Sequence, residues 1–304
     1  MIPWLSILED GDPSLENLVE NLISMNILSF DHVDILSTVS IVFMTLTSPR
    51  ITSLAFCNLY GDFPSRIPHL SKLQAMILSS PGLVLLLSEF RPNSSPRKLH
   101  LHANGIYDEL PFSIGNLGCL KDLTLWHCHF TGMIPSTTGN LLQLSYSYLY
   151  PHDFWGYIPS SSTSLIHLGH FSISYLFFRS KDLVTWFPKL NKLSMLLLHG
   201  FDLHNELSSS LVNLNQIKEL DLSDNQLKGS MLCWLAHWSQ MSYLMLEGNK
   251  LSNVRRSKVT GPILEWICQL SNLVSLGLGY NGWLLGDFIT FVKLQTSLVH
   301  AELD

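Results

Sequence analysis

Leucines in this chain return in pairs spaced two apart, and the pairs recur about every 24 residues. The pattern is plainest in Leu99-His-Leu101-His-Ala-Asn104, Leu220-Asp-Leu222-Ser-Asp-Asn225 and Leu244-Met-Leu246-Glu-Gly-Asn249. Taking the first leucine position of each step as a marker gives Leu28, Leu54, Met76, Leu99, Leu123, Ser147, Phe171, Leu196, Leu220, Leu244, Leu276 and Ala301. Successive steps are 26, 22, 23, 24, 24, 24, 25, 24, 24, 32 and 25 residues. A unit this short cannot bury its own apolar face and must stack on its neighbours. The chain therefore folds as a solenoid.

Period and leucine spacing together define a leucine-rich-repeat solenoid. In Leu123-Thr-Leu125-Trp126 the leucines point inward from a strand, while Thr124 and Trp126 point to solvent. The expected fold is α/β and right-handed. Short parallel β-strands line its concave face, and 3-10 or irregular arms form the convex face. Residues 1–24 read as an incomplete N-terminal flank and 25–304 as eleven to twelve repeats. The 32-residue step implies an insertion near 252–259, and the last repeat reads as truncated. Past each strand, Asn104, Asn225, Asn249 and Asn281 stand where a buried amide can satisfy backbone groups left open by the turn. Cys57 and Cys128 stand where the repeat wants a small buried residue.

The return arm carries a second mark. Leu110-Pro111, Ile134-Pro135 and Ile158-Pro159 lie twelve residues past their markers, whereas Phe63-Pro64 lies ten past Leu54, which reads as a two-residue deletion. Gly132 permits the bend, and Pro135 holds the arm extended. The Gly-x-Ile-Pro arm, with Gly115-Asn116-Leu117 and Gly139-Asn140-Leu141 after it, resembles the plant-specific class of leucine-rich repeat. Gly61-Asp-Phe-Pro64 after Cys57, and Phe130-Thr-Gly-Met-Ile-Pro135 after Cys128, resemble cell-surface receptor-like proteins of the disease-resistance type. The opening Pro13-Ser-Leu-Glu-Asn-Leu-Val-Glu-Asn-Leu22 is similar to the segment before an early repeat in those proteins.

That resemblance implies an ectodomain at the outer face of the plasma membrane, a protein or peptide ligand, and a co-receptor kinase as partner. It also implies glycosylation, for which Asn93-Ser-Ser95 is the one matching acceptor. The chain opens without a basic leader, and its longest apolar run, Ile35 to Leu46, falls short of the roughly 18 residues of a membrane span. Ser147 stands for a core leucine, and the Asn column reads Pro81, His152, Leu176 and Phe201 in four repeats. Phe171 to Pro188 keeps the spacing without the Gly-x-Ile-Pro arm. These departures lead to the expectation of a truncated or decayed copy of a receptor ectodomain.

Catalytic motifs are missing: there is no Gly-rich phosphate loop, kinase catalytic sequence or Gly-x-Ser-x-Gly. The five cysteines include no C-x-x-C, and the histidines around His100 and His102 gain no carboxylate in the obvious register, so neither suggests a metal. A net charge of −6 gives no argument for nucleic acid. The basic cluster Arg255, Arg256 and Lys258 reads as a solvated loop in the insertion. No cofactor is expected. The candidate ligand surface is the solvent side of the strands, at His100, His102, Trp126, His127, Tyr148 and Tyr150, since rings with a polar edge anchor interfaces. The chain reads as a non-enzymatic binding module of plant defence perception. The alternatives are the sensor half of a receptor kinase and an intracellular repeat scaffold.

Overall fold

The structure is a computed structural model. It describes residues 25–39, 49–63, 72–85, 87, 89–92, 94–102, 105–106, 108–150, 153–174, 177–178, 186–201, 203, 211, 213–228, 235, 237–251, 267, 269–281 and 297–302. Asn93, Asn104, the insertion near 252–259, Cys233 and Cys268 lie outside the described residues. The chain divides into two compact units, Met1–Leu144 with Leu149–Asp153, and Ser145–Tyr148 with Phe154–Asp304.

Unit 1 is a ladder of parallel strands in chain order: β1 (Ile27–Ser29), β2 (Ile51–Ala55), β3 (Ala75–Ser79), β4 (Lys98–His102) and β5 (Asp122–Trp126). The division between the units runs through β6 (Tyr146–Tyr150). Unit 2 continues with β7 (His170–Ser174), β8 (Met195–His199), β9 (Glu219–Asp221), β10 (Tyr243–Met245), β11 (Ser275–Gly277) and β12 (His300–Glu302), again parallel and in order. Each unit is a parallel β-solenoid, because one strand per repeat pairs only with the strand of the next.

The register corrects one marker. Leu28 pairs with Thr52, and Thr52 with Met76, so Thr52 rather than Leu54 takes the marker's place. Both steps around it are then 24 residues, and Pro64 falls twelve past Thr52 like the other arm prolines. No deletion exists in that repeat. Leucine spacing misled there because a β-branched threonine fills the first inward position and Leu54 the second, both of them buried.

Inward positions form the core of each unit. Leu99, Leu101, Leu123 and Leu125 are buried in unit 1, and Leu196, Leu198, Leu220, Leu222, Leu244 and Leu246 in unit 2. Ser147 is buried as well. Where unit 2 lacks the proline arm, aromatic rings fill the space. Trp186 meets Phe171 edge to face at 4.7 Å, stacks on Phe187 at 5.5 Å and donates its indole N–H to the Ser162 carbonyl at 2.6 Å. Elsewhere the arms run as short 3-10 turns, Phe112–Asn116, Ser136–Asn140 and Ser160–Ser164, each entered from an extended proline: Pro111, Pro135 and Pro159. Gly132 at the bend has a φ of 77°, and a Cβ there would meet the Glu109 side chain at 2.8 Å.

The turns out of most described strands share features. Four residues past the marker the backbone is left-handed, at His32, Phe56, His127, Gly200, Asp224, Gly248 and Tyr280. Five past it, at Cys57, Cys128, Asn225, Asn249 and Asn281, sits a polar side chain that settles backbone groups the turn leaves open, whereas Val33 and Phe201 fill that place in two other repeats. Asn225 donates to the carbonyls of Leu198, Leu222 and Ser223, each at 2.9 Å. Its Oδ1 accepts from the N–H groups of Phe201 and Leu203. Asn249 and Asn281 repeat the arrangement, reaching back to the Leu222 and Leu246 carbonyls and accepting from the N–H groups of Leu227 and Leu251. In unit 1 the place belongs to thiols: Cys57 donates to the Phe30 carbonyl at 2.9 Å and Cys128 to the Leu101 carbonyl at 3.4 Å. Burial, then the nearby charge of Asp31, pushes the Cys57 thiol up to about 11. Where Pro81 stands in the column, the hydroxyl of buried Ser80 accepts from the Leu59 N–H at 3.3 Å instead.

Three stability outcomes follow. The Thr52 hydroxyl is buried without a hydrogen-bond partner, so Thr52→Val should raise stability by about 1 kcal/mol in urea unfolding. Asn225→Ala strands two buried N–H donors and should cost about 2–5 kcal/mol by the same measurement. Asn281→Ala, at a half-buried amide with one such N–H, should cost less.

Candidate functional site: the outward face of the strand ladder

Outward positions on successive strands stand side by side at the strand spacing of about 4.8 Å. In unit 1 the register aligns Lys98 with Asp122, His100 with Thr124 and His102 with Trp126. Asp122 binds two of these neighbours, with His100 Nε2 at 2.8 Å and Lys98 Nζ at 3.3 Å. Burial works to raise its carboxyl, but the hydrogen bond and charge of His100 and those of Lys98 outweigh it and hold it below the usual carboxylate range.

The rings assemble into a row. His102 stacks on Trp126 with centroids 4.1 Å apart and 15° between planes. His127 leans on Trp126 at 5.1 Å. On the other side Phe56 meets His102 at 5.6 Å and 78°, and His32 stacks on Phe56 at 5.0 Å and 11°. Trp126 remains 38 % exposed and Phe56 49 %, so the row faces solvent. His102 Nδ1 lies 3.1 Å from the hydroxyl of buried Ser79. Beside the row, Asp31 accepts from Ser53 Oγ at 2.6 Å, from the Ala55 N–H at 3.0 Å and from Ser29 Oγ at 3.0 Å. Burial again opposes these bonds and is outweighed, so this carboxyl too sits low.

Of the residues proposed from sequence, His100, His102, Trp126 and His127 lie together on this face of unit 1. Tyr150, half-buried, accepts at its carbonyl from the His127 N–H. Tyr148 falls in unit 2, where burial, then Tyr146 and Asp221, push its phenol above the usual value. Sequence reading missed His32 and Phe56. Counting from Thr52 would have found Phe56, which then stands four past its marker as His32 and His127 stand past Leu28 and Leu123.

Unit 2 presents a different face. Glu219, Asp221 and Glu247 lie there with Tyr243, and His199 Nε2 lies 3.1 Å from Asp224. Burial, then repulsion from Glu302, Asp221 and Asp224, holds the Glu247 carboxyl above the usual value. Among the described residues no group of histidines, cysteines and carboxylates is placed to hold a metal ion. No helix among them is long and apolar enough to cross a membrane.

This geometry is that of leucine-rich repeats, a fold of binding modules rather than enzymes. The Leucine Rich Repeat family model matches residues 119–141 and 216–238. The chain is similar to two plant receptor-like proteins. It is 34 % identical over 121 residues to the receptor-like protein Cf-9 homolog of Solanum lycopersicum, covering 38 % of this chain and 14 % of that protein. It is 32 % identical over 112 residues to Receptor-like protein 6 of Arabidopsis thaliana, covering 36 % of this chain and 11 % of that one. The match thus spans about a seventh and a ninth of these relatives. Among solved structures, the plant peptide hormone receptor RGFR1 in complex with RGF2 shares the fold, with a TM-score of 0.67 and 22 % identity over 88 % of this chain and 46 % of that one.

Asp122 supplies a pH test. A carboxyl held low in the fold adds stability above its unfolded value of about 3.9, and this is lost as pH falls through the folded value. Urea unfolding midpoints should therefore drop on acidification below about pH 4, and less steeply in Asp122→Asn.

Proposed function

We propose that this chain is a non-enzymatic, ligand-binding leucine-rich-repeat module that recognises a protein or peptide, with the outward face of its strands as the contact surface. The observation that carries the reading is the solvent-facing row Phe56, His102, Trp126 and His127, rings that the register lines up on one face of unit 1. Large rings with a polar edge at the centre of a face supply most of the energy in protein interfaces. His100 and Tyr150 complete the proposed contact set of unit 1, and Tyr148 is a proposed contact on unit 2.

The similarity to receptor-like proteins supports a finer assignment: the extracellular side of the plasma membrane, defence perception, and signalling through a co-receptor kinase. Nothing in the repeat frame transfers phosphate, so a module of this kind signals only by presenting a bound ligand to a second protein. In that setting Asn93 is the glycan acceptor. The amide and thiol column at Asn104, Cys128, Asn225, Asn249 and Asn281 belongs to the frame rather than to the ligand.

The test is selection of a displayed peptide library on the full chain, followed by titration of the selected peptide against variants. Trp126→Ala and Tyr150→Ala should each weaken binding by about 1–3 kcal/mol, with far-ultraviolet circular dichroism unchanged. Unaltered affinity in the double variant would remove this face as the binding surface.

A further inference from the structure

We propose that the ring row of unit 1 is a carboxylate-binding strip that takes an acidic peptide segment and holds it more tightly as the pH falls. This rests on the reading of the chain as a peptide-binding module and specifies the chemistry of its ligand.

The argument begins with how the rings stand. His102 and Trp126 occupy paired positions on adjacent strands and lie face to face, so their planes cut across the direction in which strands stack. Their facing sides cover one another, and this pair turns its ring edges to solvent. Aromatic faces are negative and attract cations, whereas edges are positive and attract oxygen acceptors. A basic or purely apolar partner therefore finds little here. The polar atoms agree. Trp126 Nε1 can only donate, and neither it nor the ring nitrogens of His127 have hydrogen-bond partners among the described residues. His102 engages Ser79 through Nδ1 and leaves Nε2 without a partner among the described residues. With Ser79 donating to Nδ1, or with the imidazole protonated, Nε2 is a donor too. A strip of unanswered donors calls for an acceptor ligand, and a carboxylate is the strongest that a peptide carries.

The surrounding charges leave that place open. From β5, Asp122 is already held by His100 and Lys98. From β4 itself come Lys98 and His100, and from the exit turn His127. β3 contributes no titratable group, only Ser79. Beyond Phe56 stand His32 and Asp31, the latter engaged by Ser53, Ala55 and Ser29. Both carboxylates are thus compensated internally, whereas Trp126 Nε1, His102 Nε2 and the His127 ring nitrogens have no partner among the described residues.

The sign of the pH effect follows. Burial, then the neighbouring His127, holds the His102 imidazole below its usual value of about 6.5, so the free protein carries it neutral near pH 7. A bound carboxylate favours the imidazolium and raises that value, so binding takes up a proton from solvent. Affinity then increases as the pH drops from about 6.5 through the imidazole range. The protonated ring also gains from its stack on Trp126.

The experiment titrates the full chain by calorimetry with a ten-residue oligoglutamate and an oligolysine of equal length, at pH 5.5 and 7.5 and constant ionic strength. The oligoglutamate should bind at least ten-fold more tightly at pH 5.5, and the oligolysine should not bind. Trp126→Phe and His102→Phe keep a ring in place and remove the nitrogen. Each should weaken oligoglutamate binding at least five-fold at pH 5.5, and His102→Phe should also flatten the pH dependence. In the unsubstituted protein an indole N–H resonance should shift on adding oligoglutamate, a readout that does not depend on either variant folding. Equal affinity at both pH values, comparable oligolysine binding, unaffected variants or an unmoved indole resonance overturns the proposal. If neither charged peptide binds while a library-selected peptide still depends on Trp126, the carboxylate assignment falls and the binding-module reading stands.

Discussion

A parallel ladder of single strands depends on how the chain leaves each strand. After the second inward residue the backbone must reverse toward the arm, and its N–H and C=O groups lose their ladder partners while still buried. One side chain, five residues past the marker, resolves this at Cys57, Cys128, Asn225, Asn249 and Asn281. Asn225 shows the full form, joining its own turn to the Leu198 carbonyl of the preceding repeat and to two N–H groups of the preceding arm. The bond is therefore both local and between repeats. In an array stabilised only by nearest-neighbour contacts, such bridges carry much of the coupling that makes separate turns fold together.

The variants of that position show what it requires. Cys57 and Cys128 supply one weak donor where an amide supplies two strong ones, and both still reach a carbonyl of the preceding repeat. Ser80, one residue earlier, restores an acceptor beside Pro81. What these exits share is a small polar side chain beside the turn. Among the described residues the serving groups are thiols and a hydroxyl in unit 1 and amides in unit 2.

The fold was legible because burial and pairing both act through period: Leu99, Leu123, Leu196 and Leu220 pair in the ladder with the spacing their sequence shows. Thr52 was the exception, since a threonine suits a half-polar strand as well as a core, and Leu54 beside it looked the better marker. That single slip hid Phe56, which then fell out of the column of His32 and His127. The solvent face was legible as a list of residues, and its chemistry was not. Which faces of His102 and Trp126 are covered, and which nitrogen Ser79 meets, depend on side-chain angles that no spacing encodes. The acidic face of unit 2 was missed for a related reason. Glu247, Asp221 and Glu302 lie far apart in sequence and act on one another only once the strands are stacked.

The thiols at the exit of β2 and β5 also make the array readable in time. An amide in that place leaves no trace of having been exposed, but a thiol does. Cys57 is buried and its thiolate is disfavoured, so it is inert to an alkylating reagent while its turn is closed and reacts once it opens. Cys128 occupies the equivalent place three repeats later. Two turns of one unit thus carry chemical clocks at fixed positions. Their relative rates of modification would tell whether the turns open one at a time or together.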